Sequence, residues 1–273
     1  MSMNQISSAT RSIAICGKGG VGKTVLTSLL TKVLVGSNGK LLVVDADPVV
    51  GLPQALGVNV ARTMGDVSQE IITAARTAGK KAETEVVSML DYMILEALVE
   101  VDGFALLAMG KREGPGCFCP VNDLLRDAIE SLTQSFDIIL IDGEAGVEQI
   151  NRRVIRKVGT LLIVTDATIR GIQTAALLNK VAHKRQAKGS AGIGLVLNRV
   201  RQGQEEQLRQ AAEQAGLRIA GFIPEDENVT RYDLAGKPIF DLEDNSPSVV
   251  AVREIARNLH LASQDARLKG TKY

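Results

Sequence analysis

The chain has 273 residues, 32 basic against 31 acidic side chains, a formal net charge of +1 and 45% hydrophobic content. That balance suits a globular protein with a sizeable core and leaves no electrostatic footprint for nucleic acid. With no Trp and 3% aromatic residues, little is available for stacking on bases, so nucleic-acid partners are not expected.

Met1 to Thr10 is polar and lacks the apolar core of a signal peptide. No apolar run approaches the roughly 18 residues of a membrane helix, so a cytoplasmic protein without a membrane partner is expected. Ser12 to Cys16 is a short apolar run that reads as a buried parallel strand, and Thr24 to Leu34 carries apolar residues at helical spacing. Between them Gly17-Lys18-Gly19-Gly20-Val21-Gly22-Lys23-Thr24 fits G-x-x-x-x-G-K-[ST], a phosphate-binding loop. Glycines there let backbone N–H groups turn inward on phosphate oxygens, and the helix that follows adds its positive end. Lys23 is expected to reach the β- and γ-phosphates of ATP or ADP and the Thr24 hydroxyl to ligate Mg²⁺.

Lys40 to Asp45 reads as the next strand, followed by Ala46-Asp47-Pro48. A carboxylate at such a strand end can orient an attacking water or hold a magnesium-bound water, which makes Asp47 the candidate catalytic residue with Asp45 in support. A helix N-cap or turn aspartate is the plainer alternative. Residues 60 to 101 show no strand signal. Leu90, Met93, Ile94, Ala97 and Leu98 lie at helical spacing, so one or two amphipathic helices are expected as an insertion, covering the sheet or facing a client or second subunit.

Phe104 to Met109 is another strand candidate leading into the loop Gly110 to Pro120, whose three glycines and two prolines argue against a regular element. The loop contains Cys117-Phe118-Cys119. Two thiols at i and i+2 supply half of a tetrahedral Cys₄ shell, and Cys16 reads as a core residue. A two-fold-related copy would complete the shell, giving a metal held on a dimer axis. Incidental loop cysteines and a redox pair are the other readings. Phe136 to Asp142 is an apolar strand ending in an acid, placing Asp142 to hold a magnesium-bound water, and Gly146 could sense the γ-phosphate. Leu161 to Thr165, Ile193 to Leu197 and Arg218 to Ile223 read as further strands, with helices near 170 to 187, 204 to 216 and 248 to 262. The whole pattern points to one α/β domain over 1-273, a mostly parallel central sheet with helices on both faces in the manner of P-loop NTPases.

Lys18 to Thr24 resembles the deviant Walker A loop of the family that holds the MinD and ParA positioning ATPases, the nitrogenase iron protein and metal-centre maturation ATPases. The resemblance implies that Lys18 crosses a homodimer interface to the partner's nucleotide, that Asp47 lies in a first switch, and that Asn198, Pro224 and Asp226 line the adenine pocket. Three stretches together look like the CooC and AcsF maturation ATPases: Lys18 to Thr24, Glu113 to Cys119 with Val121-Asn122, and Asp142 to Arg153. This branch implies an ATP-dependent dimer holding Ni²⁺ or Zn²⁺ between paired Cys117 and Cys119. Its client would be a nickel enzyme, carbon monoxide dehydrogenase or acetyl-CoA synthase. A positioning ATPase would need an amphipathic membrane helix or a basic DNA surface, and residues 264 to 273 are too short and polar for the first. An iron–sulfur reductase like the nitrogenase iron protein would place its cluster cysteines in separate segments.

Overall fold

The computed structural model describes residues 11–37, 39–111, 119–143, 154, 158–185 and 192–261, without side chains at 75–88, 119–122, 184 and 185. In chain order the strands are β1 (Arg11–Gly17), β2 (Leu41–Asp45), β3 (Leu98–Val101), β4 (Phe104–Ala108), β5 (Ile138–Asp142), β6 (Thr160–Asp166), β7 (Gly192–Val200) and β8 (Ile219–Pro224). They form one sheet in the order β3-β4-β2-β5-β1-β6-β7-β8. Every neighbouring pair is parallel except β3 with β4.

The pleat explains the two cores. Side chains alternate across a strand, so Ile13 and Ile15 fall on one face and Ala14 and Cys16 on the other. Against the first face pack α1 (Lys23–Leu34) through Leu26, Leu29 and Leu30, α2 (Leu52–Leu56), and the C-terminal helix Pro247–Asn258 through Val249, Val252 and Ile255. Against the second pack α3 (Met64–Ala97), α4 (Cys119–Thr133), α5 (Ile169–Arg185) and α6 (Glu205–Gln214). Among the described residues the remaining helices are α7 (Glu227–Leu234) and a short 3₁₀ turn, Ile239–Asp241, which makes the C-terminal helix α8. This is the single-domain α/β architecture that the sequence pattern implies, and it collects the C-terminal ends of β1, β2, β4 and β5 along one edge.

Two expectations need correction. The 60–101 segment does contain a strand: β3 pairs antiparallel with β4 through the Asp102-Gly103 turn, Gly103 having φ +88°. Asp-Gly between two short apolar runs is a strong hairpin signal, masked here because β3 is only half-buried. The irregular loop also ends earlier than Pro120, since α4 opens at Cys119; proline is well tolerated in a first turn, where its missing N–H has no partner to lose.

α3 is helical over its length but is not a straight rod. Its start is fixed by a capping box between Thr63 and Asp66. Just before that cap, Arg62 donates to Glu70 at 2.6 Å and also to Glu96. In a straight helix those two glutamates would lie about 39 Å apart. Both reach one guanidinium, so the helical run doubles back, and Ile71 and Leu90 from its two arms join the same core.

Candidate functional site

The loop after β1 takes the form that its glycines permit. Gly17, Gly20 and Gly22 have φ of +153°, +79° and +93°, and a Cβ at Gly17 would sit 2.2 Å from the Val164 carbonyl oxygen. Gly22 is the N-cap of α1, so the helix begins at Lys23 with its free N–H groups facing the loop. Lys23 Nζ lies 3.4 Å from the Lys18 carbonyl, while Lys18 itself is exposed at the rim.

Three carboxylates gather beside that helix start. Asp142, the last residue of β5, accepts from Thr24 Oγ1 at 2.7 Å and from Thr27 Oγ1 at 3.2 Å. Burial pushes its carboxyl up to about 6, against the hydrogen bonds from Thr24 and Thr27 and the charge of Lys23. Asp45, in register beside it at the end of β2, is fully buried. Burial and the neighbouring Asp142 push Asp45 up to about 7, although it accepts from the backbone N–H groups of Asp47 at 3.1 Å and Leu52 at 3.0 Å. Asp47 is half-buried, and its Oδ1 caps the Val49 N–H at 2.9 Å. The turn that follows carries Val50 at φ +51°, a strained conformation for a β-branched residue.

Backbone donors, an ammonium group and hard oxygen ligands at one point form a set suited to a polyphosphate with a small divalent cation. Cys16 lies directly below, fully buried, with its thiol pushed up to about 12 by burial despite Lys23. It is a core residue, as its place inside β1 suggests.

A family model described as the CobQ/CobB/MinD/ParA nucleotide binding domain matches residues 13–239. The chain belongs to that family. It is accordingly a nucleotide-binding P-loop ATPase. An uncharacterised ATP-binding protein of Methanocaldococcus jannaschii is 38% identical, covering 90% of this chain and 97% of the relative. The carbon monoxide dehydrogenase accessory protein CooC of Rhodospirillum rubrum is 30% identical over 84% of this chain and 89% of its own length. Among solved structures, the cell division ATPase MinD of Pyrococcus furiosus superposes with a TM-score of 0.65 at 25% identity, covering 92% of this chain and 98% of that one.

Within this MinD/ParA-type frame, the residues expected around the adenine divide. Pro224, at the end of β8, lines an open groove of about 1170 Å³ together with Val200, Arg201 and Glu225. Asp226 follows two residues later, as the N-cap of α7. Its carboxylate accepts from the N–H groups of Asn228 and Ser248, each at 2.9 Å, and from the Ser246 hydroxyl, capping α7 and tying it to the start of α8. Burial alone would raise its pKa, but those hydrogen bonds outweigh burial and the net shift is downward. Asn198 turns its amide to the Val21 carbonyl at 2.8 Å rather than into the groove.

Thr27 and the backbone role of Asp45 are additions that sequence reading missed. Thr27 follows Thr24 by three residues on the same helical face, which is the signal that could have found it. Cys117 and Gly146 lie outside the described residues, and of Cys119 only its place at the start of α4 is described. Among the described residues no group of three or more His, Cys, Asp or Glu side chains is arranged to hold a metal ion, and no helix is long and apolar enough to cross a membrane.

Proposed function

We propose that the chain is a cytoplasmic, ATP-dependent metallocentre maturation factor that works as a homodimer and assists nickel insertion into an enzyme of the carbon monoxide dehydrogenase or acetyl-CoA synthase type. The observation that carries the ATPase part is the Thr24–Asp142 hydrogen bond, which joins a loop hydroxyl and a strand-end carboxylate beside Lys23. Support for the maturation part is the similarity to CooC over most of both chains, together with the Cys117-Phe118-Cys119 stretch.

In this reading the N–H groups of Gly17 to Thr24 and the Lys23 ammonium hold the ATP phosphates, and the groove beside Pro224 receives the base. The Thr24 hydroxyl would ligate Mg²⁺ directly, with Asp142 and Asp47 acting through water, and hard oxygen donors of this kind fit that ion. Bound there, Mg²⁺ supplies neutralisation of the charge that builds on the phosphoryl oxygens. Asp47 orients a water whose oxygen bonds to the γ-phosphorus as the bond to the β–γ bridging oxygen breaks, leaving ADP and phosphate. Lys18, exposed at the rim, reaches the nucleotide of the second subunit. Closure aligns Cys117 and Cys119 of both subunits around one Ni²⁺ or Zn²⁺ as cargo, and hydrolysis reopens the pair.

Size-exclusion chromatography with metal analysis, with and without nucleotide, tests the reading. One ion per dimer is expected, lost in Cys117→Ser; a metal content unchanged by that substitution sinks the cysteine assignment. The similarity to MinD favours a second reading, a positioning ATPase. Co-sedimentation with lipid vesicles or DNA in the presence of ATP would support it over maturation.

A further inference from the structure

The second arm of α3 ends with residues 89–97, and this stretch is apolar on two sides. Leu90, Ile94 and Ala97 are buried in the core that also holds Ile71 of the first arm. The side turned away from that core carries Met89, Tyr92 and Leu95, which are 55%, 60% and 56% exposed. Spaced three residues apart, they form a ridge about 9 Å long on one helix face. Single exposed apolar side chains are ordinary, whereas three large ones in line on one helix mark a contact surface. Methionine and tyrosine are also side chains that protein interfaces collect.

The charges beside the ridge have one sign. From residue 82 to residue 110 the sequence has six acidic residues and no Lys, Arg or His, although the whole chain carries a net charge of +1. Asp91 and Glu96 lie on the arm itself and are exposed. Arg62 answers Glu96, but it is shared with Glu70, one cation against two acids. An apolar ridge set among acids complements a helix whose apolar stripe is edged with Lys or Arg. A second copy laid on the ridge across a two-fold axis would bring the same acids against each other, and an anionic lipid surface would meet the same repulsion.

We propose that Met89, Tyr92 and Leu95, with Asp91 and Glu96, form a docking surface for a basic amphipathic helix of a partner protein. The ridge ends close to the departure of the cysteine-bearing loop, since Ala97 runs into β3, whose Leu98 pairs with Leu107, two residues before Met109. A helix seated on it therefore lies beside that loop. The inference depends on neither the nickel reading nor bound nucleotide, and its test uses neither.

The chain contains no Trp, so a Leu/Lys amphipathic helical peptide carrying one Trp reports its own binding by the blue shift of its emission. Saturable binding to the full chain is expected. Tyr92→Ser and Leu95→Ser should each weaken it by about ten-fold, and Asp91→Lys by a similar factor at low salt. Leu177→Ser removes a side chain that is 64% exposed on α5 and should leave binding unchanged. A Leu/Glu peptide of the same length should not bind. The proposal is overturned if the Leu/Lys peptide fails to bind, if the Leu/Glu peptide binds equally well, if neither Tyr92→Ser nor Leu95→Ser weakens binding, or if Leu177→Ser weakens it as much. On the wild type, hydrogen exchange should slow within residues 89–97 when the Leu/Lys peptide is added; protection confined to other segments overturns the proposal whatever the variants do. A dimer that Leu95→Ser dissociates, or capture by anionic vesicles that Leu95→Ser abolishes, gives the ridge to another occupant and overturns it too.

Discussion

Thr24 in the first turn of α1 and Asp142 at the end of β5 share a hydrogen bond of 2.7 Å, although 118 residues separate them in sequence. The bond joins the phosphate loop to the carboxylate proposed to act on magnesium-bound water. Asp142→Asn is therefore expected to lower magnesium-dependent ATP hydrolysis by about 100-fold or more. Melting of the free chain should not fall, because the substitution removes a carboxylate that burial penalises. Parallel steady-state kinetics and calorimetric melts check both halves; a large fall in melting temperature would mean that the residue acts through folding instead.

The pH dependence of stability follows from Asp45. Its carboxyl is raised from 3.8 to about 7 in the folded chain, first by burial and then by Asp142, so the folded state keeps a proton that the unfolded chain has lost. That stabilising contribution is complete below about 3.8 and declines as pH rises towards about 7, then levels off. For the metal-free and nucleotide-free chain, melting temperature should fall through this window. Asp45→Asn should make the fall shallower and end it near 6, where the contribution of the buried Asp142 is itself exhausted, and a wild-type profile already flat in this window would refute it.

Arg62 is predicted to hold the two arms of α3 together. Arg62→Ala removes its bonds to Glu70 and Glu96 and should cost about 1 kcal/mol, the scale of a small, partly exposed charge network. Hydrogen exchange should quicken within residues 64–97 while ATP affinity stays unchanged. Uniform loss of protection across the sheet would argue against a local clamp.

The two loop lysines should separate. Lys23→Ala is expected to abolish nucleotide binding, whereas Lys18→Ala should preserve binding by the monomer and impair hydrolysis or dimer formation. Equilibrium binding beside sedimentation velocity makes the comparison, and full activity in Lys18→Ala would remove the cross-subunit role.

What could be read before folding was whatever is written locally. β1, β2, β4, β5 and β6 are buried parallel strands, hence continuous apolar runs, and the loop from Gly17 to Thr24 carries its backbone requirements in its own glycines. β3 escaped because four residues, three half-buried and one exposed, next to a long helical pattern give too short a period to register. Asn198 was legible as polar at a strand end, but its partner, Val21, lies 177 residues away and no local pattern names it. Asp226 was placed by resemblance, while its hydrogen bonds to Ser246 and Ser248 depend on how α8 returns to α7.

The register of β5, β2 and β4 has a consequence of distance. Asp142 faces Asp45 across one strand spacing, the Asp45 carbonyl accepts from the Met109 N–H at 2.8 Å, and the Met109 carbonyl accepts from the Gly65 N–H at 2.9 Å. The peptide from which the cysteine-bearing loop departs is thus about 10 Å, two strand spacings, from the carboxylate bonded to Thr24. A rearrangement at the phosphates would need no relay through the body of the protein to be felt there. Two neighbouring peptides would carry it, and the first turn of α3 would move with them.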